Sequence, residues 1–367
     1  MIAEESIICP TIMGVVMSNI HIKGDKSVTS SRELTRRSTL KGGLAVGAGL
    51  TLGTFAIIGK ASAAAITMRF GSDSPIGAPH TKSALVLKEL VEKGTQGRVE
   101  VVVFPDSQLG NNQTMTNGIK AGTLDGVVTD VSHISAAVGE TDVFNLPFVF
   151  KDTDHVLRFA NGPVGAKLKP KIDEAFACEL LGFASDGSRN LWNGKRPIKT
   201  PADVTGLKFG VQASKIQRDT ILAFGGIPTV VGFKDLYTAL QTGLVDGSDK
   251  TMADIMQVKL YQVTKYLTLT NHYSIVSTMI VSKKFLDQLD KKDQDVVREA
   301  AKPAVKAQVD DVLKSEQETI AFLKDKGGMQ IIPLENQKAF SDKLDGVYKE
   351  ASDRIGADLI DAARKSS

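Results

Sequence analysis

The stretch from Gly187 to Lys250 constrains the fold more than any other part of the chain. Short apolar segments that predict strands cover residues 206–211, 228–231 and 244–248, and segments with helical spacing cover 215–224 and 234–241. Strands and helices that alternate with short connections are typical of a parallel sheet covered by helices. The stretch therefore predicts an α/β fold.

The same alternation precedes this stretch. Strands are predicted at 66–72, 98–104, 126–130 and 180–184, with helices at 79–93 and 111–121. After it come predicted helices at 252–258, 290–326 and 335–349, a strand at 329–333, and a long β-prone run at 266–281. That run exceeds an ordinary strand, so we expect two sheets that share a crossing strand. No Pro-rich linker divides the chain, which predicts two discontinuous lobes.

Composition excludes one class of partner. Of the 367 residues 42% are apolar and 24% are charged, which is typical of a soluble globular protein of about two domains. The formal charge of +3 comes entirely from residues 1–63, which hold seven Lys/Arg and four Asp/Glu. The remainder is neutral, so nothing in the composition indicates binding to nucleic acid.

The first 63 residues have the pattern of an export leader. TRRSTLK at 35–41 is close to the twin-arginine signal, and an uncharged run at 42–59 follows it. A membrane anchor is the rival interpretation, since 18 residues is near the lower limit for spanning. Six of the 18 are glycine, and Ala61 and Ala63 fit a cleavage site. We expect cleavage near Ala63 and export to the periplasm, or to the outer membrane face of a cell without one.

The chain has two cysteines, Cys9 and Cys178, and only Cys178 lies beyond the leader. An internal disulfide is therefore excluded in the processed protein. Within the apolar sequence AFACELLGF, Cys178 is expected to be a small buried hydrophobic residue rather than a nucleophile.

Motifs for catalysis are missing from the sequence. There is no phosphate loop, no GxGxxG after a strand and no GxSxG turn. The histidines beyond the leader are scattered, without an HExxH or CxxC partner, and they are His80, His133, His155 and His272. The sequence therefore predicts a binding protein with no cofactor and no metal site, rather than an enzyme.

Several segments carry a family resemblance. They are RNLWNGKRPIKTPADVTGLKFGV, GIPTVVGFKDLYTALQTGLVDGSDK, GRVEVVVFPDSQLGNN and VFNLPFVF. In this order and spacing the chain from Ile66 to Ser367 resembles the solute-binding proteins of TRAP (tripartite ATP-independent periplasmic) transporters, the DctP family. The resemblance implies a two-lobed periplasmic-binding-protein fold with a central cleft, a long crossing strand and a long bracing helix. Lobe one would comprise 66–187 and 275–315, and lobe two 188–274 and 316–367.

The resemblance also implies a function and a set of site residues. Such a receptor closes on a small organic acid and delivers it to a small and a large membrane permease subunit. Arg189 matches a family arginine that pairs with the ligand's carboxylate, and Phe233 matches an aromatic that stacks on the ligand. Asp73, Asn112 and Asp130 also match polar ligand-contacting positions of the family. His133, three residues after Asp130, is a weaker candidate, and Trp192 stands where the family often has threonine and either lines the pocket or packs in the core.

Two positions depart from the family pattern. The second and nearly universal family arginine lies in GLK-I-R-V, where this chain has Gly210. The family asparagine in VDGQENP is replaced by Lys250, which either supplies the lost positive charge or is a solvated lysine paired with Asp249.

The missing arginine leaves a second possibility open, in which the same fold binds a neutral or amine-bearing solute. A sensory or scavenging receptor without a transporter and an exported enzyme are the remaining classes.

Overall fold

The computed structural model describes residues 65–212 and 214–366, so the predictions for the leader lie outside the described residues. Among the described residues, nine strands form one mixed sheet. The strands are β1 Ile66–Gly71, β2 Val99–Phe104, β3 Gly126–Asp130, β4 Cys178–Asn193, β5 Lys208–Val211, β6 Ile227–Val230, β7 Gly247–Lys250, β8 Tyr266–Ser282 and β9 Gln330–Pro333.

Helices connect the strands and cover the sheet. They are α1 Pro79–Gly94, α2 Asn112–Ala121, α3 Thr153–Ala160, α4 Pro163–Ala175, α5 Pro201–Val204, α6 Lys215–Ala223, α7 Leu236–Gln241, α8 Met252–Gln257, α9 Lys283–Leu286, α10 Lys291–Asp325, α11 Gln337–Ser341, α12 Asp345–Ile355 and α13 Ala357–Lys365. Short 3-10 helices lie at Val131–His133, Gly139–Asn145, Phe233–Asp235 and Leu260–Gln262. None of the described helices combines the length and apolar character that crossing a membrane requires.

The sheet has a parallel section at each end. The strand order is β2-β1-β3-β8-β4-β7-β5-β6, and β9 pairs with β8. Strand β1 is parallel to β2 and β3, and β5 is parallel to β6 and β7. This is the α/β architecture that the alternating sequence pattern predicts.

Strands β4 and β8 join the two ends of the sheet. The last part of β8 is antiparallel to β3, whereas its first part is parallel to β9. The last part of β4, Asn190 to Asn193, is antiparallel to β7. The expected crossing strand is therefore present, but two strands cross instead of one, and they belong to one continuous sheet rather than two. The strand predicted at 180–184 is only a part of β4.

Helix α10 contacts elements from both ends of the sheet. It begins at the N-cap Asp290, whose carboxylate accepts a hydrogen bond of 2.8 Å from the backbone of Asp293. It packs on α1, on β4 and on α8, where small side chains allow close approach, as at Ala300, Ala301 and Ala304. This is the long bracing helix that the resemblance implies.

The sequence pattern missed or merged several helices. Helices α3 and α4 were not predicted, and the helix predicted at 335–349 is two helices, α11 and α12. Phe340, Leu344 and Val347 are buried at helical spacing on both sides of the turn that separates them, so apolar periodicity cannot detect the break.

The prediction for Cys178 is confirmed. Its side chain is fully buried in the apolar core. Burial raises the pKa of its thiol to about 12, so it stays protonated and unreactive.

Candidate functional site

A cavity of about 90 Å³ lies where strands from both ends of the sheet terminate. Its described lining residues end β3, follow β1, β5, β6 and β7, lie on β4, β8 and α8, or begin α1. They are Asp73, Ser74, Ala78, Pro79, His80, Asp130, Asp186, Arg189, Gln212, Phe233, Thr251, Ala253, Asp254, Gln257 and Ile275. Carboxyl ends of parallel strands are where α/β sheets bind ligands. The volume is below the usual range for ligand pockets and indicates a compact solute.

An irregularity in β4 brings two charged residues to this cavity. Asp186 and Arg189 are three positions apart, and in a regular strand they would point to opposite faces. The register with β8 shifts by one residue between Ser185 and Ser188, which places both side chains at the cavity. Gly187, at a φ of +88°, supplies the left-handed backbone within this bulge.

One side of the cavity, which we call the acidic wall, consists of Asp73, His80, Asp130 and Asp186. The imidazole of His80 bridges two of the carboxylates: Nδ1 lies 3.1 Å from Oδ1 of Asp73, and Nε2 lies 2.7 Å from Oδ2 of Asp186. Burial opposes the charged imidazole, but Asp186 and Asp73 outweigh it and raise the pKa of His80 well above its usual value. His80 is therefore a cation at neutral pH.

Asp73 is the best compensated carboxylate of the acidic wall. Its Oδ2 accepts a hydrogen bond of 2.7 Å from Nδ2 of Asn112, and its Oδ1 faces His80. Burial acts to raise its pKa, but the hydrogen bond and the charge of His80 prevail and lower the pKa to about 2.

Asp130 is the poorly compensated member of the acidic wall. Its carboxylate makes no hydrogen bond to another described residue, and its nearest cationic atom, Nε2 of His80, is 3.8 Å away. That nitrogen is already bonded to Asp186. Burial and then the negative charge of Asp186 raise the pKa of Asp130 to about 8. Asp130 thus requires a proton or a donor from outside the fold.

The opposite side, which we call the basic wall, consists of Arg189, Gln212, Phe233 and Lys250. The guanidinium of Arg189 is 1% exposed and donates from Nη1 to the backbone carbonyl of Asp249 at 2.7 Å and from Nη2 to Oε1 of Gln212 at 3.0 Å. Its Nε has no hydrogen-bond partner in the described part of the chain. An unpaired buried donor beside a cavity indicates a ligand acceptor.

Asp249 supports the basic wall from behind. Its Oδ2 lies 3.3 Å from Nη1 of Arg189 and 3.4 Å from the hydroxyl of Tyr273. Burial would raise the pKa of Asp249, but the charge of Arg189 reverses this effect and lowers it. Asp249 therefore holds and neutralises Arg189 rather than lining the cavity.

Lys250 has a different environment. It is buried, and its Nζ lies 5.3 Å from the centre of the Phe233 ring. It forms no ion pair with Asp249, or with any other residue in the described ranges. Burial and then the charge of Arg189 lower the pKa of Lys250. Lys250 is therefore a buried lysine next to a cavity residue, not a solvated one.

Gly210 explains why this chain has no second arginine in the expected place. A Cβ added at Gly210 would lie 2.7 Å from Cδ1 of Leu236, a fully buried residue at the start of α7. The space where an arginine side chain would begin is therefore filled by apolar packing.

The other predicted residues lie around the cavity. Asn112 contacts Asp73 from α2, whereas Trp192 is fully buried in an apolar cluster and donates from Nε1 to the carbonyl of Lys250 at 2.9 Å. His133 lies in the turn after Asp130, and burial lowers the pKa of its imidazole. Of the described lining residues, none is Asn112, Trp192, His133, Gly210, Asp249 or Lys250.

Sequence reasoning missed seven charged or polar residues that line the cavity, namely Ser74, His80, Asp186, Gln212, Thr251, Asp254 and Gln257. A partial signal existed for two of them. His80 opens α1 directly after a strand, which is where clefts collect polar groups, and Asp186 stands three residues before Arg189. Gln212 and Asp254 follow strand ends in the same way, but many other polar residues do so as well.

A metal ion would find ligands in the acidic wall. Among the described residues, donor atoms of His80, Asp130 and Asp186 lie within 4.8 Å of one another. The sequence gave no indication of this grouping because the three residues come from α1, β3 and β4, and motif searches test only spacing along the chain.

The arrangement serves to enclose a solute. Strands from two parallel sections of one sheet, joined by β4 and β8, surround a small cavity lined by buried charges of both signs. This architecture defines the class of two-lobed, periplasmic-type solute-binding proteins.

Comparison with known proteins identifies the family. Residues 70–354 match the model described as "Bacterial extracellular solute-binding protein, family 7". The chain is 30% identical over 326 residues to the C4-dicarboxylate-binding periplasmic protein DctP of Rhodobacter capsulatus, covering 87% of this chain and 96% of the relative. It is 29% identical over 316 residues to the 2,3-diketo-L-gulonate-binding periplasmic protein YiaO of Escherichia coli, covering 85% and 96%.

A solved structure agrees with this result. A TRAP periplasmic solute-binding protein from a Polaromonas species, bound to D-erythronate, is 32% identical, with a TM-score of 0.77, covering 82% of this chain and 98% of that one. The chain belongs to the DctP family and is a TRAP solute-binding protein.

Proposed function

We propose that this protein is the extracytoplasmic receptor of a TRAP transporter and binds a small organic acid in the cavity between its lobes. The observation that carries the proposal is the buried guanidinium of Arg189, which lines the cavity and has an unpaired Nε. Arginine is the side chain best suited to pair with a carboxylate.

The second positive charge comes from Lys250. Burial and the charge of Arg189 lower its pKa and outweigh the carboxylates of Asp254, Asp249 and Asp130, and an anionic group of a solute favours its charged form. Phe233, whose ring centre lies 5.3 Å from the Lys250 ammonium, lines the cavity and packs against the solute. Lys250 thus compensates for the arginine that Gly210 lacks.

The ligands of the relatives support an organic acid. The Rhodobacter protein binds C4-dicarboxylates, the Escherichia coli protein binds 2,3-diketo-L-gulonate, and the Polaromonas protein holds D-erythronate. All three ligands carry a carboxylate. The compact cavity of this chain fits a solute of similar or smaller size.

The lobes move about the crossing strands. Lobe one comprises 66–187 and 275–315, and lobe two comprises 188–274 and 316–367, so that each of β4 and β8 passes from one lobe to the other. Binding closes the lobes because contacts to both walls form only in the closed state. The solute leaves chemically unchanged to the small and large permease subunits.

The leader at 1–63 directs the protein to the periplasm by the twin-arginine pathway and is removed. The pattern TRRSTLK carries this part of the proposal. Cell fractionation after replacement of Arg36 and Arg37 by lysine tests it: the protein is expected to remain in the cytoplasm, and unchanged export would contradict it.

Titration calorimetry tests the ligand class. Each acid of a panel is compared with its uncharged amide, and we expect measurable binding only for the acids, with a smaller radius of gyration by X-ray scattering in the bound state. Binding of amides as tightly as acids would favour the alternative, a neutral or amine-bearing solute without a carboxylate. Turnover of a bound compound, followed by NMR, would contradict a receptor role.

A further inference from the structure

The charges that line the cavity are unbalanced. Among the described lining residues there are four carboxylates and only two cations, His80 and Arg189, and the carboxylates are those of Asp73, Asp130, Asp186 and Asp254. Behind the lining residues, Asp249 neutralises Arg189 and Lys250 adds a third basic group, so the count becomes five carboxyl groups against three basic groups. A solute that brought only negative charge would enter a site that already carries an excess of it.

The acidic wall also has unused acceptors. Asn112 and Gln308 are 7% and 1% exposed and donate their amide groups to Asp73 and Asp186, at 2.7 and 2.8 Å. The carbonyl oxygen of each amide has no partner in the described part of the chain. Asn112 and Gln308 lie behind the lining residues, so within the cavity the carboxylate of Asp130 is the acceptor that lacks a donor.

The basic wall lacks acceptors instead. Nε of Arg189 is buried without a partner, and Nζ of Lys250 makes no hydrogen bond or ion pair to any other residue that the structure describes. The two walls therefore require opposite chemistry from one solute: acceptors on the side of Arg189 and donors on the side of Asp130.

We propose that the solute is a compact zwitterion, whose carboxylate lies at Arg189 and Lys250 and whose protonated amine lies at Asp130 and Asp186. This inference rests on the proposed receptor function and extends it. An ammonium supplies positive charge and three donors and needs no acceptor. A hydroxyl supplies one donor and no charge, and it leaves the excess of negative charge in place.

The assignment makes Asp130 a specificity-determining residue. If the first carboxylate of a dicarboxylic acid lies at Arg189, the second carboxylate faces Asp130 and Asp186. Neighbouring carboxylates repel each other because their charges have the same sign. The acidic wall thus selects against the second acid group while the basic wall selects for the first.

The test begins with the solute itself. The purified protein is exposed to a metabolite extract, washed and denatured, and the released compound is identified by mass spectrometry, while metals are quantified on the same sample. We expect a compound with a carboxyl group and a basic nitrogen. A carboxylic acid without nitrogen would overturn the zwitterion and leave the receptor for acids intact. A compound without a carboxyl group would overturn the proposed function as well.

Matched ligands and variants provide the second test. At each chain length, calorimetry compares the amino acid, the hydroxy acid and the dicarboxylic acid, and we expect the amino acid to bind at least about tenfold more tightly than the others. In Asp130→Asn that preference should fall about tenfold, because the neutral amide no longer attracts the ammonium. Asp310→Asn, an exposed carboxylate on α10, is the control and should keep the preference.

The remaining outcomes are also decisive. Tighter binding of the hydroxy acid, with Asp130→Asn unchanged, would overturn the inference. So would one equivalent of a divalent ion that is needed for binding and lost with EDTA, since the ion, with His80, Asp130 and Asp186 as ligands, would then neutralise the two carboxylates in place of an ammonium. Thermal unfolding of each variant shows whether it is folded; Asp130 makes no hydrogen bond to the described fold, so Asp130→Asn is expected to fold.

Discussion

The acidic and basic walls of the cavity differ in how their charges are compensated. In the basic wall Arg189 has its own buried counter-ion, Asp249, at 3.3 Å, and it donates a hydrogen bond to Gln212. In the acidic wall one imidazole serves three carboxylates, and Asp130 is left 3.8 Å from it. The charge of Arg189 is therefore compensated before ligand binding, although its Nε is unpaired, whereas the charge of Asp130 is not compensated.

The difference assigns different roles to the two walls. A side chain fixed by buried partners is preorganised and contributes affinity without loss of freedom on binding. A buried acceptor without a partner is stabilised when the solute supplies a hydrogen-bond donor. Such a side chain discriminates between solutes that supply a donor and those that do not. Arg189 thus provides affinity, and Asp130 provides specificity.

The largest effect is expected at Arg189. Arg189→Lys keeps the charge but loses the planar fork, and we expect the affinity for the acid to fall about 100-fold, or about 2.7 kcal/mol by calorimetry. Arg189→Met leaves Asp249 buried and unpaired and should lower the free energy of unfolding by about 3–5 kcal/mol.

A double variant separates these two effects. Arg189→Met combined with Asp249→Asn should recover much of the stability measured by denaturant unfolding, but not the binding. Recovery of binding in the double variant would show that Arg189 has only a structural role.

Replacement of Lys250 is expected to raise the stability of the protein, whereas replacement of Arg189 by methionine lowers it. Lys250→Met removes a buried cation without a counter-ion, so we expect a higher melting temperature together with an affinity for the acid about tenfold lower. Lys259→Met, an exposed lysine beyond α8, is the matched control and should change neither. An unchanged affinity in Lys250→Met would mean that Lys250 does not replace the arginine missing at Gly210.

The pH dependence of stability tests Asp130. Because its pKa is raised to about 8 from an ordinary value of 3.8, its contribution to the stability of the unliganded protein is complete below about pH 4 and is lost as pH rises through about 8. Asp130→Asn has no carboxyl group that titrates at this position, so it does not lose stability over this pH range. We expect its melting temperature to exceed that of the wild type by about 5 °C at pH 8 and by much less at pH 4. A constant difference across this range would show that Asp130 is not destabilised by its charge.

The smallest effect is expected at Gly210. Gly210→Ala forces Leu236 to move and should lower the free energy of unfolding by about 1 kcal/mol, while affinity stays within about twofold. Gly346, with no atom within 4 Å of an added Cβ, is the control: Gly346→Ala in α12 should be neutral or slightly stabilising. A large loss of affinity in Gly210→Ala would place Gly210 in the site after all.

The sequence predicted the parts of the fold that depend on local pattern. Strands such as β1 and β3 and the helix α10 follow from alternation and periodicity over their own residues. The full length of β4 did not follow, because residues 185–189 are polar or glycine and gain their strand character only by pairing with β8. Tertiary pairing of this kind leaves no local signal.

The site was predictable only where a motif extends along the chain. Arg189 and Phe233 lie in matched segments, and both line the cavity. His80 and Asp186 form a hydrogen bond although they are 106 residues apart, so neither the composition nor the spacing reveals their partnership. The unbalanced charge of the acidic wall is likewise a property of three elements that meet only in the fold.

A crystal structure of the protein with the solute it retains tests the central claim most directly. We predict a carboxylate oxygen within hydrogen-bonding distance of Nε of Arg189, with the same molecule contacting Asp130 across the cavity. A solute bound elsewhere on the protein, with the hydrogen bonds of Arg189 to Asp249 and Gln212 unchanged and its Nε still unpaired, would contradict it.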